Sequence, residues 1–200
     1  MDIVCLDLEG VLVPEVWISF AEKTGIDALR LTTRDIPDYD QLMRGRLRIL
    51  AEHKLGLNEI QEVISSMDPL PGATEFLQEL RQDYQLIILS DTFYEFGMPL
   101  MKKLSLPTLF CHALKVGPDG SIVDYQLRQP DQKRHAVLAL QGLNFRVLAA
   151  GDSYNDTSML GAANAGYLFR APQNVAREFP QFPLVTTYSE LLDRFRSSGA

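Results

Sequence analysis

Cysteine, tryptophan and long apolar runs are all scarce in this 200-residue chain. Its two cysteines, Cys5 and Cys111, show no C-x-x-C spacing and lie among apolar neighbours. That pattern predicts buried, reduced thiols and not a disulfide framework. No apolar stretch reaches the ~20 residues that cross a bilayer, and Asp7 breaks the N-terminal run, so neither a membrane span nor a signal peptide is expected. Basic blocks are missing as well. With 19 Lys+Arg against 26 Asp+Glu the net charge is −7, and a surface without a basic stripe does not hold a phosphate backbone, which excludes nucleic acid as an expected partner. A cytoplasmic location is the expectation, and any anionic ligand would need a local basic pocket.

Apolar residues make up 46% of the chain, enough for a sizeable core. Four strand-like runs stand out: 2–8 (DIVCLDL), YQLIILS ending at Ser90, FRVLAAGD ending at Asp152, and AGYLF ending at Phe169. Between and after them, ATEFLQELRQ, FGMPLMKKL, RHAVLALQGL and SELLDRFR place apolar residues at helical spacing. Strand alternating with helix predicts an α/β fold, a Rossmann-like parallel sheet flanked by helices. From Pro14 to about Asp68 the pattern is helical only (WISFAEKTG, YDQLMRGRLRILAEHKLG, LNEIQEVISSM), which reads as a helical cap inserted over 14–69, the core being 1–13 and 70–200. Residues 109–128 alternate on both sides of Pro118-Asp119-Gly120, which predicts a β-hairpin.

Ligands of open parallel sheets collect at the carboxyl ends of the strands. Those ends are polar here: Asp7 and Glu9, then Ser90 and Asp91, then Asp152. Strand alternation would put Asp7 and Glu9 on one face, so a positive group or a shared proton is expected between them. In GDSYND, Asp152 leaves its strand and Asp156 follows four residues later. One acid there is an ordinary helix cap; two flanking Asn155 exceed what a cap needs. Asp7 and Asp152 supply hard oxygen donors of the kind that suit Mg2+. Lys133, in the first turn of a helix, gains nothing from the helix dipole and by itself reads as a solvated lysine.

D-x-[D/E]-G-V, hydrophobic-Ser, Lys and GDxxND, in that order, resemble the haloacid dehalogenase superfamily of phosphotransferases, and the helical segment after the first motif resembles its phosphoserine phosphatase branch. DLEGVLVPE, LSDTFYEF and AAGDSYND are similar to those members that also pass phosphate to homoserine. The resemblance implies a Mg2+-dependent enzyme acting on a phosphorylated amino acid, with homoserine as a possible acceptor. It implies Asp7 as the nucleophile that becomes an aspartyl-phosphate. Ser90 and the backbone N–H of Asp91 would bind the phosphoryl group, Lys133 would hold both nucleophile and phosphate, and Asn155 would contact substrate or phosphate. Mg2+ would be held by Asp7, Asp152 and the backbone carbonyl of Glu9, with Asp156 supporting from behind. Glu15 lies near the acidic position that meets the substrate amine, one residue short of the usual spacing. Arg46 falls where a cap arginine meets the substrate carboxylate, with Arg44 and Arg48 as rivals.

Two positions depart from the family pattern. Glu9 stands where most members have Asp, the acid that protonates the departing alcohol; its extra methylene adds about 1.5 Å of reach, which is expected to make transfer to an acceptor hydroxyl competitive with hydrolysis. Asp91 stands where relatives usually have Gly. A dehalogenase would need neither the second acid nor the metal carboxylates. The other readings are a phosphatase for another small phosphometabolite and a catalytically weak regulatory binding protein.

Overall fold

The computed structural model describes residues 1–198 apart from 33, 34 and 37. Its centre is β1 (Asp2–Leu6), which pairs in parallel with β2 (Gln85–Phe93) on one side and β5 (Arg146–Gly151) on the other. With β3 (Thr108–Val116), β4 (Ile122–Gln126), β6 (Ala165–Phe169) and β7 (Leu184–Val185), the described sheet runs in the order β4-β3-β2-β1-β5-β6-β7, parallel except for the β3–β4 pair.

Apolar residues fill both faces of the three central strands, as a doubly covered sheet requires. Val4, Leu6, Ile88, Leu148 and Ala150 point to one side. There they meet α4 (Ala73–Asp83), α5 (Tyr94–Lys103) and α9 (Tyr188–Ser198). Ile3, Cys5, Ile87, Leu89, Val147 and Ala149 point to the other, against α6 (Gln132–Gly142), α7 (Thr157–Ala162) and α8 (Gln173–Glu178). Burying such side chains contributes roughly 1.5–3 kcal/mol each. Cys5 and Cys111 are buried free thiols, as expected. Among the described residues no helix is long and apolar enough to cross a membrane.

Between β1 and β2 the chain is helical: α1 (Val16–Thr24), a 3-10 turn at Asp27–Arg30, α2 (Tyr39–Glu52) and α3 (Leu57–Ser66). Of these, α2 and the start of α3 rest on the β3–β4 hairpin. The Leu57 N–H donates to the Gly120 carbonyl at 2.9 Å, and Arg44 on α2 pairs with Asp124 on β4 at 2.8 Å.

The expected strand ends shift in two places. β1 stops at Leu6 and not Leu8, because the chain turns at once: Leu12 and Val13 donate back to the Leu8 carbonyl, and Gly10 takes φ +77°. β2 continues beyond Ser90 to Phe93, with its register against β3 slipping between Leu89 and Phe93. That irregular stretch carries Ser90 and Asp91.

Candidate active site

The sheet order reverses at β1, so the carboxyl ends of β1, β2 and β5 open onto one crevice. Asp7 follows β1 directly, its N–H donating to the Ala150 carbonyl of β5 at 3.0 Å. Asp152 follows β5. The loop beyond it returns Asp156, whose carboxylate accepts the N–H groups of Asp152 at 3.0 Å and Ser153 at 3.1 Å. Asp156 is completely buried.

Lys133 is the centre of charge. Its ammonium lies 2.7 Å from Asp156, 2.9 Å from Asp7 and 3.6 Å from Asp91. An exposed lysine it is not: 3% of the residue remains accessible. Burial works against its charge, but Asp156, Asp7 and Asp91 outweigh burial and hold it well above the usual lysine range. The two opening turns of the motif loops are shaped by close approach. A Cβ at Gly10 would stand 2.4 Å from the Asp152 carboxylate, and one at Gly151 would stand 2.3 Å from Asp156.

Oxygens of Asp7, Asp152 and Asp156 lie within 4.8 Å of one another. Burial first, then the charge of Asp156, pushes the Asp7 carboxyl well above its ordinary range, although Lys133 pulls it down. Three carboxylates this close are a set of hard oxygen donors that fits a divalent cation such as Mg2+.

Glu9 departs from the expected arrangement. Because the strand ends before it, its carboxylate does not stack beside Asp7; it turns to α1, where Oε2 accepts the Val16 N–H at 2.9 Å. That N–H is among the helix donors with no partner inside the helix. Burial, then the neighbouring charge of Glu15, raises the Glu9 carboxyl to about 8, against the lowering pull of the Val16 bond and of Arg46. Neither a positive group nor a shared proton therefore sits between Asp7 and Glu9 as expected: Lys133 serves Asp7, and Glu9 lies beside Glu15 at the base of α1.

Of the three rival arginines, Arg46 is the one turned inward. Arg44 and Arg48 are exposed, Arg44 held by Asp40 and Asp124. Arg46 is 8% accessible, its guanidinium 4.4 Å over the Trp17 ring, with Nη2 donating to the Leu31 carbonyl at 2.7 Å. Its buried Nε–H has no hydrogen-bond partner among the described residues. Burial lowers this guanidinium to about 10, with Glu9, Tyr39 and Glu15 acting in the opposite direction.

The Ser90 hydroxyl accepts the Thr92 N–H at 3.2 Å, and Asn155 donates to Asp91 at 2.9 Å. Three further residues converge that the motifs did not mark. Gln132 donates to the Ser90 carbonyl at 2.7 Å, His112 on β3 faces Asp91 at 3.6 Å, and the Tyr39 hydroxyl of α2 donates to the Asp91 carbonyl at 3.2 Å. Gln132 adjoins Lys133 in sequence and was the one available signal; His112 sits in an alternating strand like any core residue.

Comparison with known proteins shows the family. Residues 1–164 match the family described as haloacid dehalogenase-like hydrolase. Phosphoserine phosphatase ThrH of Pseudomonas aeruginosa is 64% identical over 200 residues, 100% of this chain and 98% of that protein. A phosphoserine phosphatase of Pseudomonas syringae is 63% identical over 195 residues, 98% of this chain and 82% of that protein. A solved substrate-bound phosphoserine phosphatase complex has the same fold, with a TM-score of 0.80 at 20% identity over 96% of this chain and 97% of that one. With most of its length inside the matched region, the chain belongs to the haloacid dehalogenase-like hydrolases.

Proposed function

We propose that this protein is a Mg2+-dependent phosphoserine phosphatase that works through an aspartyl-phosphate on Asp7 and passes the phosphoryl group to homoserine as well as to water. The observation that carries the reading is the buried Lys133 ammonium bridging Asp7 and Asp156 at the crevice mouth of β1 and β5. It gives a nucleophile, a fixed positive charge for the phosphoryl oxygens, and a carboxylate set for the metal. Residues 14–69 act as the cap, and the core is made of 1–13 and 70–200.

Asp7 attacks phosphorus and the seryl oxygen leaves. Lys133 and the Ser90 hydroxyl meet the charge that develops on the phosphoryl oxygens, helped by the Asp91 N–H. Asp7, Asp152 and the Glu9 carbonyl would hold Mg2+, with Asp156 behind, and the ion would supply positive charge that favours the ionised form of Asp7. Glu9, raised to about 8, carries a proton at neutral pH and delivers it to the leaving oxygen. As the resulting carboxylate it then takes a proton from water or from the homoserine hydroxyl. The longer side chain spans the gap between the core and α1.

A zwitterionic substrate suits the cap. The unpartnered Nε–H of buried Arg46 calls for an acceptor such as the substrate carboxylate, and Glu15 beside Glu9 offers a charge for the amine. Asn155 reaches the phosphoryl side of the same space. The test uses radiolabelled phosphoserine with Mg2+: acid-quenched protein is expected to carry label on Asp7, and Asp7→Asn none. With homoserine added, phosphorus NMR is expected to show phosphohomoserine. Unlabelled wild-type protein during turnover overturns the mechanism; free phosphate as the sole product overturns the transfer.

A further inference from the structure

Asp91 is placed by the irregular part of β2, where three residues, 90 to 92, stand against the single Cys111 between the pairs Leu89–Phe110 and Phe93–His112. Its carboxylate has two working sides. On one, Oδ2 accepts the Asn155 amide at 2.9 Å and stands 3.6 Å from the Lys133 ammonium. On the other, Oδ1 accepts the Gln132 amide at 3.2 Å and faces His112 Nε2 at 3.6 Å.

The second side is anchored. His112 Nδ1 accepts the Arg128 N–H at 3.1 Å, which leaves its proton on Nε2, facing Asp91. Gln132 is held at both ends of its amide: Oε1 accepts from Arg128 at 2.7 Å, and Nε2 also donates to the Ser90 carbonyl at 2.7 Å. His112 and Gln132 are nearly inaccessible, at 4% and 2%. One carboxylate therefore joins β2, β3, the start of α6 and the loop after β5. Although burial opposes its charge, Lys133 and these hydrogen bonds hold Asp91 well below the usual carboxylate range.

We propose that Asp91 is a positioning residue for phosphoryl transfer: anchored from behind by His112 and Gln132, it fixes Lys133 and Asn155 relative to Asp7. The ammonium of Lys133 has three N–H bonds. Asp156 and Asp7 take two at hydrogen-bond distance, and Asp91 stands off on the third side. Without that third charge the ammonium is free to swing toward the other two, and the Asn155 amide loses its acceptor. The proposal rests on the phosphotransfer reading above.

Steady-state turnover of phosphoserine with Mg2+ by wild type, Asp91→Asn, His112→Gln and the double variant tests it. Asp91→Asn is expected to lower kcat about tenfold or more with KM within about threefold, since misplacing a group without removing it costs the transition state. His112→Gln is expected to act in the same sense but less, and the double variant to be no slower than Asp91→Asn, because one chain of contacts is cut twice. Thermal unfolding checks that each variant is folded; if Asp91→Asn is not, His112→Gln decides alone by the same kcat-against-KM split. Wild-type kcat in the folded variants, a change confined to KM, or effects that multiply in the double variant overturn the positioning role. A wild type inactive on phosphoserine overturns the phosphatase reading and this one with it, whereas active wild type with indifferent variants overturns this one alone.

Discussion

Lys133 shows how far a single charge can govern its surroundings. Removing it leaves Asp7 and Asp156 buried without compensation, so Lys133→Met is expected to abolish turnover and to cost about 3–5 kcal/mol of stability, read from urea unfolding without added metal. Glu9 sets a pH limit. A donor raised to about 8 is protonated below that value, so kcat/KM is expected to fall as pH rises through about 8. Glu9→Gln keeps a neutral group at the Val16 N–H but has no proton to give; its expected loss is about 10²–10⁴-fold in kcat, with the alkaline limb gone. Gly10→Ala places a Cβ against Asp152 on a positive-φ residue and is expected to lose activity before it loses fold, as circular dichroism beside turnover would report. Asp7, Ser90 and Asp152 were legible as polar residues closing apolar runs. Lys133 was not legible from its helix position alone, since the carboxylates that overrule the dipole come from three other segments. His112 and Gln132 carry no charge signature at all, and only the fold brings them to Asp91.

Among the elements, the longer helices announced themselves through apolar spacing and the central strands through unbroken apolar runs, whereas α8, six residues long, did not. β7, two residues long, is too short for any periodicity, and the slip in β2 hid its last three residues because alternation fails there. The fit between α1 and α2 offers a direct probe. Trp17, the sole tryptophan, carries the Arg46 guanidinium on its face, a contact worth roughly 0.5–2 kcal/mol. Phosphoserine binding to Asp7→Asn is expected to change tryptophan fluorescence as Arg46 turns to the substrate carboxylate, and Arg46→Met to lose that change together with affinity. The pairing of Arg44 with Asp124 is exposed; cutting it with Asp124→Ala is expected to cost under about 1 kcal/mol, observed as a small shift in the unfolding midpoint.

Across the whole molecule the two thiols report opening of opposite faces of the sheet. Cys5 belongs to the core under α6 to α8 and Cys111 to the core under α4, α5 and α9, and burial raises each to about 12. Both are expected to resist a thiol-titrating disulfide at pH 8 in the native protein and to react once it is unfolded; fast reaction of either would mean that its face opens locally. The α/β class was legible because strands and helices alternate along the chain, while the order of strands was not, since pairing partners are decided across the sheet. That order has a consequence for biosynthesis. The first strand pairs with one made near residue 146, and the Tyr188 hydroxyl closes on the Val11 carbonyl at 2.6 Å across 177 positions. A growing chain carries Asp7 long before it carries β5 or Lys133, and the Tyr188 clasp on Val11 follows later still. The β5-facing edge of β1, apolar and unpaired, must therefore be shielded until residues 146–151 have been made.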